Sequence, residues 1–384
     1  MVLQGLASAA VAALIGAVAW CGSNWTISLT LIIPVLVFSQ PRRSTAGAVA
    51  ILYFAAASWP IMPSAQAFWS LSASSPLPPI AWIAASLLLA APWIILWSPN
   101  RSEAIWRCPL ALLANALPPL GVIGWASPLV AAGLVFPGTH WPGIAAALLL
   151  PGAAFHKQAG RPAIAFASLL ALGTNLIWTG PPRPQGWATV NTAVDTAKRS
   201  DPIFEFEVIQ SLQNKARCAK GRVLLAPESA VLRWNEATSD LWQPTIEDLK
   251  RQRATILLGT SFAIPGSPKY TNALLAIGTD SAIFVQRNPV PIAMWRPVGP
   301  DGTALRLTGR GTLDIAGQRA AVLICYEQLL VWPMLHSALE RPTLILGVAN
   351  DYWCRGTHIP AAQKACMKAW ARLFGLPVLA AINY

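Results

Sequence analysis

Four polar residues in the second half of the chain follow three short apolar runs, at the strand ends where α/β proteins place their sites. They are Glu228 after the run 223–227, Cys325 after 321–324, and Asn350 with Asp351 after 344–349. A cysteine at a strand-to-helix turn lies near helix N–H donors, which lower a thiol pKa and can bind an oxyanion. A carboxylate at a neighbouring strand end can take the proton of that thiol. One interpretation of the pattern is therefore that Cys325 is a nucleophile and Glu228 is its base.

Packing alone offers a second interpretation of these residues. Cysteine is among the most commonly buried residue types, and an isolated Cys after an apolar run is usually part of a core. Glu228 is harder to explain in this way, because an unpaired buried carboxylate is costly. On the residues alone, both interpretations of Cys325 stay open.

The elements that must position these residues alternate from about residue 190 onward. Strands buried on both faces are predicted from β-branched or Leu-rich runs at 223–225, 255–258, 282–285, 321–324, 343–346 and 377–379. Helices are predicted between them at 203–219, 245–253 and 361–374. This alternation is typical of an α/β domain with strand ends available for a site.

The first half of the chain has a different composition. The 384 residues are 54% hydrophobic and only 11% charged, less than half the usual charged share of a soluble protein. Intrinsic disorder and a wholly soluble globule are therefore excluded. Residues 1–185 hold seven of the 28 Lys and Arg residues and one acid, Glu103. The net charge of +12 is thus divided between two unlike halves and is no sign of nucleic-acid binding.

Apolar runs predict a membrane region over residues 1–180. The runs lie at about 2–20, 25–39, 44–62, 77–97, 109–135, 141–155 and 162–179. A spanning helix needs about 20 apolar residues, so most of these runs qualify. We expect about seven transmembrane helices, with six or eight as alternatives, because Pro118 and Pro119 interrupt one run and 141–155 is short.

The charges of the connecting loops predict the orientation of this region. Basic residues occur only in alternate connections, as the pairs Arg42 and Arg43, Arg101 and Arg107, and Lys157 and Arg161. The loops 21–24, 63–76 and 136–140 carry no charged side chain. Under the positive-inside rule the N-terminus is cytoplasmic, in a bacterial inner membrane, and residues 181–384 form a periplasmic domain.

Several other function classes find no support in the sequence. No ionisable residue lies deep within a predicted span, which argues against an ion-coupled transporter. There is no Walker motif and no basic stripe, so neither ATP-driven work nor direct nucleic-acid binding is expected. His336 and His358 are too far apart for a metal motif, and no metal or cofactor is expected.

Five short segments, by their order and spacing, give the chain a resemblance to a known superfamily. They are Ala226-Pro227-Glu228-Ser229-Ala230, Tyr270-Thr271-Asn272-Ala273, Val290-Pro291, Ile324-Cys325-Tyr326-Glu327 and Asn350-Asp351-Tyr352-Trp353. Together they resemble the nitrilase (carbon–nitrogen hydrolase) superfamily. With the multi-span region, the chain looks most like the apolipoprotein N-acyltransferase branch, and in size it is similar to the TraB proteins of plasmid conjugal transfer.

The resemblance implies a Glu-Lys-Cys site in an αββα sandwich. Glu228 would be the general base, and Cys325 the nucleophile that forms a thioester. In the acyltransferases the acyl group passes from a phospholipid to the amine of a lipid-modified cysteine, so membrane phospholipid and a lipoprotein or conjugation proteins are the implied partners. Candidate substrate-binding residues are Tyr326, Glu327, Asn350 and Trp353. A core position is an equally good interpretation of Trp353.

The chain departs from the acyltransferase pattern at three places. Gln286 stands at the position of the family's Lys, and the adjacent Arg287 is a replacement that an extended segment would project to the opposite face. Met294 stands where the acyltransferases have Glu. The sequence ends at Tyr384, whereas the acyltransferases continue past the Asn that corresponds to Asn383. We therefore expect a domain over 181–384 that either completes its sandwich differently or is pared down at its C-terminus.

Two functions follow from these features. One is a thiol-dependent N-acyltransferase or amidase, which acts on lipid or protein amines through Cys325 and Glu228, with Arg287 or another cation replacing the Lys. The other is a catalytically impaired membrane accessory protein of conjugal transfer or envelope assembly. Glu228 and Cys325 favour the first function, and Gln286 with Met294 favours the second.

Overall fold

The structure, a computed structural model, describes residues 2–23 and 25–384 and divides into two units. The first unit contains the residues up to Pro181 together with Leu329–Trp332 and Gly356–Leu376. The second contains Pro182–Gln328, Pro333–Arg355 and Pro377–Tyr384. The chain therefore returns twice to the first unit after leaving it.

Helices account for the apolar runs of the first unit. They are α1 (Val2–Ala19), α2 (Ile32–Phe38), α3 (Arg43–Ser58), α4 (Ile61–Phe68), α5 (Leu77–Leu96), α6 (Ala104–Ala116), α7 (Ala132–Val135), α8 (Trp141–Ala153) and α9 (Gly160–Ile177). The run 25–39 begins as a 3-10 helix, Thr26–Leu31, before α2. The run 109–135 is interrupted after α6, just before Pro118 and Pro119, because proline lacks the N–H that a continuing helix requires.

Few of these helices are long enough to cross a bilayer unaided. Within the described residues, α5 and α9 have the required length and apolar composition. A third span results if α3 and α4, which meet at a bend of 42°, count as one. The predicted number of about seven spans is therefore not confirmed, because prolines and 3-10 segments divide the other runs into shorter helices.

The second unit contains two β-sheets. The strands are β1 (Trp187–Thr189), β2 (Val223–Leu225), β3 (Thr255–Ala263), β4 (Lys269–Gly278), β5 (Ala282–Val285), β6 (Gly302–Thr303), β7 (Thr312–Ile315), β8 (Gln318–Ile324), β9 (Leu344–Asn350) and β10 (Val378–Asn383). The helices of the second half are α10 (Pro202–Arg217), α11 (Glu236–Arg251), α12 (Val331–Leu339) and α13 (Ile359–Phe374).

The two sheets face each other across a shared apolar core. One sheet has the order β1-β2-β3-β4-β5 with β6 beside β4, and the other has the order β10-β9-β8-β7. Buried side chains of both sheets, such as Leu225, Leu257, Val322 and Leu346, form one cluster. A second cluster packs α10 and α11 on the outer face of the first sheet. The predicted α/β character is confirmed, with parallel pairing at the centre of each sheet.

Helix α13 forms where the sequence predicts a helix, but residues 356–376 group with the first unit. Its backbone packs closely on α7, since a Cβ on Gly133 would lie 1.7 Å from the Ala369 oxygen. Its last turn accepts hydrogen bonds at Arg372 and Leu373 from the backbone nitrogens of Gly138 and His140. The amphipathic helix thus lies against the predicted uncharged loop 136–140.

Arginines from two of the predicted basic loops meet at the C-terminus of α5. Arg43 donates to the Trp97 oxygen at 3.4 Å, and Arg107 donates to the Leu96 oxygen at 3.3 Å. Cations are favourable at this position, because the last carbonyls of a helix lack intrahelical partners and carry partial negative charge. The basic loops are therefore tied to one end of α5.

Candidate active site

Glu228 lies between the two sheets of the second unit, three residues after β2 ends. Its side chain is 5% exposed. Asn272 of β4 donates its Nδ2–H to Oε1 at 2.7 Å, and the backbone nitrogen of Asn350, at the end of β9, donates to Oε2 at 2.9 Å. The structure therefore brings the predicted residues Glu228 and Asn350 together through strand ends of different sheets.

Cys325 occupies the turn between β8 and the 3-10 helix Cys325–Leu329, as the sequence predicts. Its φ is +50°, a left-handed conformation that is strained for a residue with a side chain and that recurs at functional sites. The thiol is 2% exposed and hydrogen-bonds the carboxylate of Glu228. The nucleophile and the base predicted from the sequence are therefore in direct contact.

Burial is the largest cause of the pKa shifts of Glu228, Cys325 and Asp351. It raises the pKa of the Glu228 carboxyl, against the opposing effect of hydrogen bonds from Asn272, Cys325 and Asn350. Burial, followed by the negative charges of Glu228 and Asp351, raises the pKa of Cys325 well above its ordinary value. Asp351 is 1% exposed, and burial with the Glu228 charge raises its pKa to about 7. In the described part of the chain, no cation is among the groups that set these three pKa values.

Gln286 lies in the same hydrogen-bond network. Its Oε1 accepts the Asn272 amide at 2.9 Å, and its Nε2 donates to the Ile324 oxygen at 3.1 Å, one residue before the nucleophile. Asn272 therefore donates to both Glu228 and Gln286. A neutral amide thus occupies the position at which the resemblance leads one to expect a lysine ammonium.

Arg287 lies in a bend just after β5, and its side chain extends away from this network. Its Nε lies 3.4 Å from Oε1 of the fully buried Glu327. Its Nη1 donates to Ser337 of α12 at 3.0 Å, and its Nη2 donates to the Val322 oxygen at 3.0 Å. The structure therefore does not bring Arg287 to Glu228 as the replacement cation, because its guanidinium is engaged with Glu327 and α12.

The carboxylate of Glu327 is a hydrogen-bond acceptor for backbone nitrogens of two segments. It accepts hydrogen bonds from the nitrogens of Arg287 and Asn288 through Oε1 and from Ile324 through Oε2, all at 2.9–3.0 Å. These bonds hold the segment of Gln286 against the turn of Cys325. Glu327 thus has a supporting position rather than the expected substrate-binding one.

The other three residues predicted to bind substrate, Tyr326, Trp353 and Asn350, differ in their contacts. Tyr326 is partly buried, and burial raises its pKa. Trp353 packs against the cluster between the sheets, which agrees with its interpretation as a core residue. The side-chain oxygen of Asn350 accepts from Asn383 at 2.9 Å. The sequence marks Asn272 only as part of a motif, because it follows three half-buried residues at the start of β4.

Comparisons with known proteins agree with the resemblance. The chain is 23% identical over 322 residues to the apolipoprotein N-acyltransferase of Nitrosomonas europaea, covering 77% of this chain and 58% of that protein. It is 34% identical over 393 residues to the conjugal transfer protein TraB of Agrobacterium fabrum, covering 96% and 90%. It is 31% identical over 378 residues to the probable conjugal transfer protein TraB of Sinorhizobium fredii, covering 96% and 95%. The chain therefore belongs to the family of conjugal transfer TraB proteins.

Solved structures of the nitrilase superfamily are similar at a low level. A mutant of the Nesterenkonia amidase shares 14% identity at a TM-score of 0.34, covering 52% of this chain and 78% of that chain. The carbon–nitrogen hydrolase of Helicobacter pylori shares 12% identity at a TM-score of 0.36, covering 51% and 72%. These scores are too low to define the fold, which the strand pairing describes directly. No family model matches the chain.

Proposed function

We propose that this TraB family member is an inner-membrane protein whose second unit transfers acyl groups to lipid or protein amines through Cys325. One observation carries the proposal: the Cys325 thiol, at a left-handed backbone position, hydrogen-bonds the buried Glu228 carboxylate. A cysteine that only fills a core needs neither feature. Strain of this kind costs about 1–3 kcal/mol and a buried carboxylate costs more, so a shared role for the pair is the simplest reason for both.

The proposed reaction uses the pair twice. Glu228 takes the proton from Sγ of Cys325, and the thiolate attacks the ester carbonyl of a phospholipid. The lysolipid oxygen leaves with the proton from Glu228, and the acyl group remains on Sγ as a thioester. An amine then attacks this thioester, Glu228 takes the amine proton, and that proton returns to the departing thiolate. In this proposal, backbone N–H groups of the turn that begins at Cys325 would donate to the oxyanion.

A membrane orientation accompanies this proposal. We expect about seven crossings over residues 1–180, a cytoplasmic N-terminus and a periplasmic domain over 181–384. Support comes from the apolar helices α5 and α9, from the alternation of basic and uncharged loops, and from the two basic loops that meet at one end of α5. Acyl transfer from a phospholipid favours such a location, because a lipid-borne chain must reach the thiol without crossing water.

One observation favours the second candidate, a catalytically impaired accessory protein of conjugal transfer. Gln286 stands at the Lys position and forms two hydrogen bonds. Because its amide is neutral, it supplies no positive charge to stabilise an oxyanion. The raised pKa of Cys325 keeps its sulfur as the less reactive thiol. In this case the unit would act by binding proteins of the conjugation machinery.

Intact-mass spectrometry separates the two candidates. Full-length protein would be incubated with phospholipid in detergent and examined for a gain of one acyl group. The proposal expects an adduct that is lost in Cys325→Ala and retained in Cys354→Ala, whose cysteine is also buried in the second unit. The absence of any adduct, together with normal conjugal transfer by Cys325→Ala, would establish the accessory role instead.

The orientation has a separate test. A reporter that is active only in the periplasm would be fused after Tyr384, and we expect it to be active. An inactive reporter, combined with activity of a cytoplasm-specific reporter at the same position, would reverse the proposed topology.

A further inference from the structure

Arg199 is a buried cation that no step of the proposed reaction uses. It lies in the 3-10 helix Thr196–Ser200 and is 6% exposed. Its Nε donates to Oε2 of Glu205 at 2.6 Å, and its Nη2 donates to Oε1 of Glu205 at 2.7 Å. Such a bidentate arginine–carboxylate pair fixes the relative orientation of the two side chains as well as the distance between them.

The remaining contacts of this pair all reach the segment that follows Glu228. The guanidinium donates to the backbone oxygens of Ser229, through Nη1, and Ala230, through Nη2 at 3.2 Å. Oε1 of Glu205 accepts from the backbone nitrogen of Leu232 at 3.0 Å. The two side chains thus hold three backbone positions within four residues of the proposed base.

The segment that they hold has little freedom to relax. Ser229 has φ of +54°, a left-handed conformation that is unfavourable for a residue with a Cβ. The backbone also lies against Gly259 of β3, where a Cβ would come within 2.3 Å of the Pro227 oxygen. A strained turn persists only when its surroundings over-determine it, and Arg199 with Glu205 supplies three of the contacts that do so.

We infer that Arg199 and Glu205 form a positioning pair that sets Glu228 against Cys325. By fixing residues 229–232, the pair keeps the Glu228 carboxylate within reach of the thiol, of Asn272 and of the Asn350 nitrogen. Neither Arg199 nor Glu205 is expected to touch the substrate. The inference rests on the proposed function for its meaning in catalysis, but the contact between Glu228 and Cys325 can be tested without any turnover.

The same short helix reaches the site from a second direction. Thr196 accepts a hydrogen bond from the Asn350 side chain at 3.5 Å. Asn350 in turn accepts from Asn383, which also donates to the Val194 oxygen. The segment 192–205 therefore braces both Glu228 and its backbone donor, so a change at Arg199 is expected to act on the site and not only on stability.

The test uses the full-length protein in detergent and follows alkylation of Cys325 by iodoacetamide against pH, with peptide mass spectrometry as the readout. Arg199→Met should let the Glu228 carboxylate move away from the Cys325 thiol. Because the thiol then loses a neighbouring negative charge, we expect the pH midpoint of its alkylation to fall by about one unit. The rate of acyl-adduct formation is expected to fall at least tenfold, the opposite direction. Arg199→Lys should restore part of both. Arg217→Met is the matched control, since it breaks another ion pair of the unit, with Asp248.

A double substitution separates positioning from a general loss of stability. In a Glu228→Gln background, Arg199→Met should leave the alkylation midpoint unchanged, because the effect passes through Glu228. Equal effects of Arg199→Met with and without Glu228→Gln would overturn the inference, as would an equal shift in Arg217→Met. If the wild-type chain forms no acyl adduct but the midpoints behave as described, the proposed function fails while the positioning role stands.

Discussion

Gln286 is the position at which one added charge should change the site most. Its Oε1 lies 2.9 Å from Nδ2 of Asn272, which lies 2.7 Å from Oε1 of Glu228. A lysine ammonium placed there would lie within about 6 Å of the carboxylate, where it contributes about 3 kcal/mol at an effective dielectric constant of about 20. This energy corresponds to about two pKa units. Gln286→Lys is therefore expected to let the Cys325–Glu228 pair release its first proton about two pH units lower than the wild-type pair does.

The alkylation rate of Cys325 measures this change, because only the thiolate reacts. At pH 7 the rate is expected to rise by up to about a hundredfold in Gln286→Lys. Peptide-level mass spectrometry is required, since Cys21 and Cys218 are exposed and react in every variant. Gln286→Met is the control for the lost amide, and the buried Cys354 reports local unfolding. If Gln286→Lys and Gln286→Met had the same midpoint as the wild type, burial and charge would not be what governs this site.

Three further predictions concern the remaining features. The folded-state pKa of Asp351, about 7, lies above its unfolded value, so its contribution of about 4 kcal/mol to folding stability is present below about pH 4 and lost as pH rises through 7. Asp351→Asn should flatten the fall in thermal stability between about pH 4 and 7, and an unchanged fall would contradict this. Gly259→Ala should destabilise the second unit by about 1–3 kcal/mol in denaturant unfolding and lower acyl-adduct formation, since its Cβ would overlap the segment of Glu228. Gly133→Ala should loosen α13 from α7 and expose the buried Cys366 to maleimide, whereas Gly173→Ala, which meets nothing within 4 Å, should not.

Strand ends explain why the centre of the site was predictable. Glu228, Cys325 and Asn350 each terminate or closely follow a short apolar run. The parallel neighbours β8 and β9 bring Cys325 and Asn350 to one edge of their sheet, whereas Glu228 follows β2 of the other sheet. The sequence gives little sign of β4, because residues 269–272 at its start are polar and do not match the pattern of a buried strand. It therefore marks Asn272 as part of a motif and not as the donor that joins Glu228 to Gln286.

The first half of the chain shows the limit of composition as a guide. An apolar run reports the solvent that a segment prefers, and it does not report where proline ends a helix. The run 109–135 is long enough to span, yet it is broken between α6 and α7. Helix α13 illustrates the opposite case: its buried face carries Cys366 and Trp370, but Lys364, Lys368 and Arg372 give it the pattern of a helix in a soluble domain.

The pairing of Arg287 with Glu327 bears on which function the site can have. This arginine pairs with Glu327 and does not reach the other two buried carboxylates, Glu228 and Asp351. In the described chain, no cation is therefore among the groups that set the pKa values of Glu228, Asp351 and Cys325. Each group then holds its proton to a higher pH than a free side chain would. A thiol-dependent enzyme of this design should become more active as pH rises past neutrality, since one proton must leave the pair before Sγ can attack. An accessory protein has no such requirement, and its contribution to conjugal transfer should not depend on the protonation of Cys325.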